Sequence, residues 1–172
     1  TGIPVPYTVV LLGTAMIVYT MYGGSAAVIW TDVVQMFVYL AGAIIIFFAL
    51  LYGIDGGWGA VVAAGTAADK FAVFDFSFDP TKIYTFWAGL IGGVALTLAT
   101  HGTDQFLVQR LLSAPSARDA GRGLILSGVL VLLQFGLFLV IGVMLFTYYQ
   151  QVPLPALGRP DEILPRFVID TL

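Results

Sequence analysis

Residues 97–114, TLATHGTDQFLVQRLLSA, carry the most chemistry for their length. Thr97, Thr100, Thr103, His101, Asp104 and Gln105 stand at the inner end of an apolar run long enough to enter a bilayer. A polar group at that depth is costly unless a partner or a water-filled cavity satisfies it, so such residues are functional suspects by default. Gly102 among three threonines, a histidine and a carboxylate predicts an interruption of the helix, with Asp104 as N-cap of an inner half-helix and Thr97, Thr100 and His101 lining the break. Discontinuous helices of this kind supply exposed backbone groups and half-helix dipoles that hold solutes near the membrane midplane. A lone histidine is more often packed than liganding, so a solute contact and a packing role both stay open for His101. Gln105, Gln109 and Arg110 fall where a helix begun at Asp104 carries them toward the cytoplasm, as anchors of the inner half-helix.

A second polar group lies in AVIWTDVVQ, residues 27–35. Thr31 or Asp32 can cap the helix that follows, the carboxylate complementing the positive end of its dipole. Alternatively, Asp32 serves a cation pathway, because a hard cation selects oxygen ligands. It is placed about half a bilayer from the break, which separates it from Thr97. Gly89, Gly92 and Gly93 have the spacing of close helix packing.

The elements that must position these residues are membrane helices. Of the 172 residues, 59% are hydrophobic and only 10% charged, with a mean hydropathy of +0.97, whereas soluble domains are about 25% charged. A formal charge of −3 gives no argument for nucleic acid, and zero cysteines leave no disulfide or thiolate metal site. The N-terminal residues lack a signal-peptide pattern.

Four segments approach the roughly 20 apolar residues of a crossing: 6–22, 33–52, 85–112 and 123–149. The connection 23–32 holds no Lys or Arg, 53–84 is a longer link turned at Gly56-Gly57 and Pro80, and 150–172 is rich in proline with room for a short interfacial helix. Arg110, Arg118 and Arg122 make the densest basic cluster, which places the third connection in the cytoplasm. Alternation puts 23–32 inside and leaves 53–84 and 150–172 as extracellular loops. Residues 1–172 thus read as one piece of an all-α integral membrane domain, its third helix broken.

YGGSAAVIWTDVVQ (22–35) and GTDQFLVQRLLSA (102–114) resemble the two most recognisable stretches of the sodium:solute symporter family, the sodium/glucose cotransporter relatives, and DEILPRFVIDTL (161–172) resembles what precedes that family's next core helix. Order and separation match along essentially the whole chain. The resemblance implies a LeuT-like core of two inverted five-helix repeats, of which this chain supplies core helices four to seven. It further implies sodium-coupled movement of a small organic solute or anion by alternating access, with sodium as coupling ion, no other cofactor, and the lipid bilayer and the remaining helices as partners. Asp32 matches the position of an aspartate in the second sodium site. The main sodium site lies on helices outside this chain, which is therefore not expected to transport alone.

Solute contacts from the broken helix fall on Thr97 and Thr100, with His101 adjacent. Sugar-transporting relatives have an asparagine at the position of Thr97, an aromatic at Thr100 and a lysine at Val131, so a glucose or galactose site is disfavoured. Gln134, one turn past Val131 in an apolar span, is the better polar contact from its helix, the alternative being a helix–helix hydrogen bond. The resemblance leaves open a sensor domain of a signalling protein, and proton in place of sodium coupling. A membrane enzyme lacks support, since no HExxH, second histidine or nucleophile elbow accompanies His101 and Asp104. The expected location is a bacterial inner membrane.

Overall fold

The computed structural model describes residues 4–79, 81–154 and 158–172. Among them the regular structure is entirely helical: α1 (Val5–Gly53), α2 (Gly57–Ala67), α3 (Phe86–Thr103), α4 (Gln105–Leu112), α5 (Ala117–Gln151), a 3₁₀ turn (Pro160–Glu162) and α6 (Ile163–Thr171). The chain forms two compact units, Thr1–Ile46 and Phe47–Leu172.

In the first unit, one residue interrupts α1. Gly24, at φ 60° and ψ −155°, has left the helical region, in a conformation essentially restricted to glycine. A Cβ on Gly23 would overlap the Ala27 methyl, so the bend needs both glycines. The expected loop over 23–32 is therefore absent: the chain is helical on both sides of Gly24, as Val5–Gly24 and Ala26–Gly53. Ser-Ala-Ala-Val-Ile-Trp contains no breaker, and nothing stops the helix from restarting at once. The capping role expected of Thr31 or Asp32 is overturned. Both lie inside α1, and the Thr31 hydroxyl donates to the Ala27 carbonyl at 2.8 Å.

In the second unit, the link 53–84 contains a helix that composition alone did not announce. Gly56 and Gly57, at φ 86° and 53°, turn the chain into α2, which packs on α5. Leu50, Ile54, Val61, Ile141, Met144 and Leu145 are buried there. Gly65 is buried, and a Cβ there would press on the Phe71 ring and on Val143. Gln151 closes the end of α5 onto the turn, accepting from Asp55 N–H at 2.9 Å and donating to the Asp55 carbonyl at 3.0 Å. Phe167 of α6 is fully buried and meets Tyr148 edge-on at 5.2 Å. The short tail helix thus docks on the end of α5.

Helix α5 starts earlier than the expected span 123–149. Ser116 caps it, accepting from Asp119 N–H at 3.1 Å and donating to the Asp119 carboxylate at 2.6 Å. Arg118 and Arg122 consequently stand in its first turns. Among the described residues three helical stretches are long and apolar enough to cross a membrane: Val5–Gly24, Ala26–Gly53 and Ala117–Gln151, with mean hydropathies of 1.5, 2.5 and 2.8. The third expected span, 85–112, is divided into helices of 18 and 8 residues.

Candidate functional site

The start of α3 is pinned by a strap formed by residues 74–79 and 81–87. Thr85, buried, caps the helix by accepting from Ala88 N–H at 3.2 Å. Phe86 N–H donates to the Asp75 carbonyl at 2.8 Å, and the Trp87 indole N–H donates to the Phe76 carbonyl at 3.2 Å. Phe74, Phe76 and Phe86 cluster with ring centres 5.0–6.2 Å apart. Lys82 closes the strap on Asp75 at 2.9 Å. The Asp75 carboxyl is held well below its ordinary range by hydrogen bonds from Ser77 and Lys82. Asp79 is lowered likewise by its bonds from Thr81.

At the other end of α3 the helix is regular through Thr103 and stops at Asp104, where φ is −71° and ψ 115°. Asp104 is the end of one helix and the cap of the next: its carboxylate accepts from Leu107 N–H at 3.3 Å and its carbonyl from Val108 N–H at 2.9 Å. The expected cap is present. The expected position of the break is corrected, because Thr97, Thr100, His101 and Gly102 are helical and precede it. The hydroxyls explain this. Thr100 donates to the Leu96 carbonyl at 2.9 Å and Thr103 to that of Ala99 at 2.5 Å, so these side chains are satisfied within the helix instead of melting it.

Thr97, Thr100 and His101 lie within an arc of about 100° on one face of α3, at about 100° per residue. Thr97 is exposed, Thr100 and His101 half-buried, and Thr100 Oγ1 is 3.0 Å from His101 Nδ1. A helix end leaves its last carbonyls without partners further along the same helix. The arrangement thus joins hydroxyls, an imidazole and a set of carbonyl oxygens within two turns, chemistry suited to a polar solute or a hard cation.

Gln105, Gln109 and Arg110 are exposed on α4, and Ser113 ties off its end by donating to the Arg110 carbonyl at 2.7 Å. Gln134 is half-buried on α5, which packs on α2 and α4. Asp32 is half-buried in the first unit. Among the described residues no three His, Asp or Glu side chains gather as a metal site. A cavity of about 730 Å³ lies between residues 70–73 and α5 and is lined by Phe71, Phe135, Phe138 and Phe146; Asp32, Thr97, Thr100, His101, Asp104 and Gln134 are not part of its lining.

A family model for the sodium:solute symporter family matches residues 1–171. The chain belongs to that family. The sodium/iodide cotransporter of Homo sapiens is 31% identical over 181 residues, covering 99% of this chain and 27% of its own length. The sodium/sialic acid symporter SiaT of Proteus mirabilis is 34% identical over 176 residues, covering 98% of this chain and 34% of its own. A solved structure of a Na+-coupled sialic acid symporter, in a substrate-bound outward-open state, superposes with a TM-score of 0.87 at 33% identity, over 100% of this chain and 36% of that one. The chain spans about a third of the length of the relatives it matches. Its membership makes it part of an integral membrane protein of a transporter family, not of an enzyme family.

Proposed function

We propose that this chain is the part of a sodium-coupled secondary active transporter in which a broken helix meets the solute, and that the whole protein moves a small organic solute or anion by alternating access. The observation that carries the reading is the single-residue break at Asp104, directly after the turns bearing Thr97, Thr100 and His101. Backbone that leaves the helix at membrane depth is tolerated where it faces protein or a water-filled cavity. Thr97, Thr100 and His101 supply the solute contacts from α3, and Gln134 supplies one from α5. Asp32 acts on the cation, its carboxylate being the only acid in α1.

Gly102, Asp104, Gln105, Gln109 and Arg110 hold the inner half-helix. Sodium and the solute are the partners, together with lipid and the remaining helices of the transporter. The basic residues 110, 118 and 122 favour a cytoplasmic side for the α4–α5 junction. Relatives from Proteus mirabilis and Aliivibrio fischeri, each 34% identical, favour the inner membrane of a bacterium.

The test is uptake by the full-length protein in proteoliposomes, with sialic acid, lactate and iodide offered under an imposed sodium or proton gradient. Accumulation driven by sodium and reduced by His101→Ala or Thr97→Val supports the proposal. Accumulation driven by protons alone would replace the coupling ion, and uptake indifferent to both substitutions would remove α3 from the solute site.

A further inference from the structure

His101 is held by a neighbour whose own hydrogen is already committed. The Thr100 hydroxyl oxygen lies 2.9 Å from the Leu96 carbonyl oxygen and 3.3 Å from that of Thr97, while His101 Nδ1 stands 3.0 Å away. Two oxygens at 2.9 Å with no hydrogen between them would set lone pair against lone pair. The one hydroxyl proton therefore points at the Leu96 carbonyl, as threonine hydroxyls do inside helices. The contact with the ring then needs its hydrogen from Nδ1.

A neutral imidazole carries a single N–H, and the nitrogen that bears it is set by what the other ring atom meets. With Nδ1–H donated to Thr100, Nε2 keeps its lone pair. Resting on the reading of this face of α3 as the solute side, we propose that Thr100 is a positioning residue that fixes His101 in the Nδ1–H form, so that the ring presents Nε2 as an acceptor to a hydroxyl or N–H group of the solute. Thr100, with no hydrogen left to offer, can itself meet the solute only as an acceptor. The preferred class is then a hydroxylated or amide-bearing solute, whereas a bare halide gives Nε2 nothing to accept.

The tautomer is read directly from the ¹⁵N signals of the ring nitrogens in full-length protein labelled at histidine, at a pH well above the ordinary imidazole value of about 6.5. His101→Gln identifies the signals of this residue. Wild type and Thr100→Ser should both show a protonated Nδ1 and a bare Nε2. Thr100→Val, which keeps the shape but loses the acceptor, should move a substantial share of the proton to Nε2. A wild-type ring protonated at Nε2, or a Thr100→Val spectrum identical to wild type, overturns the positioning role.

Sialic acid, lactate and iodide, each added with saturating sodium, probe the acceptor. An Nε2 signal shifted by sialic acid or lactate supports it, and a signal that stays still under all three, or that only iodide moves, overturns it. The tautomer is measured without transport. A protein that accumulates no solute would sink the transport reading and leave this result intact.

Discussion

Asp104 concentrates two functions in one residue, since its backbone ends α3 while its carboxylate accepts the Leu107 N–H of α4. Asp104→Ala removes that acceptor and should destabilise the start of α4 by about 1 kcal/mol, seen as faster amide exchange across Gln105–Leu112, whereas Asp104→Asn should keep most of the protection. Asp32 gives a cleaner experiment than its sequence context promised, because it lies inside α1 and not at a helix start. Asp32→Asn removes the charge and keeps the size of the side chain. The full-length variant should keep its expression and lose apparent sodium affinity, and unchanged sodium dependence would leave Asp32 with a packing role alone. Arg110→Ala should lower the uptake rate with KM little altered, because Arg110 is exposed on α4 beyond the break. The cap at Asp104 was legible because an aspartate directly precedes an apolar, helix-forming stretch. The position of the break was not, because threonines and a glycine also sit in regular helix when hydroxyls return to carbonyls one turn back.

Among the elements, the bend at Gly24 and the strap before α3 carry distinct expectations. Gly24→Ala places a Cβ on a residue at φ 60° and ψ −155° and should cost about 1–3 kcal/mol, read as a lower melting temperature in detergent. The strap depends on an ionised Asp75. Its carboxyl is depressed in the folded chain, chiefly by Ser77 and then by Lys82, so the stabilisation is complete above the unfolded value of about 3.9 and is lost as pH falls below it. Asp75→Asn should therefore melt earlier than wild type at about pH 6, with the gap closing below about pH 4. Two elements escaped the sequence reading for local reasons. Helix α2, GWGAVVAAGTA, consists mostly of Ala and Gly, a composition that also suits a loop. The start of α5 is set by Ser116 and Asp119, a capping pair among turn-like residues.

For the whole molecule, hydropathy located the long crossings but not their joints. The apolar runs 6–22, 33–52 and 123–149 were visible, and they fall inside the longer helical stretches Val5–Gly24, Ala26–Gly53 and Ala117–Gln151. What divides or extends them is decided by single residues, Gly24, Asp104 and Ser116, whose effects depend on geometry. Because the chain spans about a third of its relatives, the 172 residues reconstituted alone should show no sodium-driven uptake, while the full-length protein should. Uptake by the isolated chain would mean that it holds a complete cation site of its own.

The break has a mechanical side. All departure from helical geometry between α3 and α4 is carried by Asp104, so two torsion angles join an 18-residue rod to an 8-residue one. The shorter rod is about 12 Å long at 1.5 Å per residue. A turn of about 30° at that joint would sweep its far end at Leu112 through about 6 Å while leaving the hydroxyls and imidazole of α3 where they are. Asp104 is in this sense a pivot, and the short helix beyond it is a lever whose stroke is set by its length.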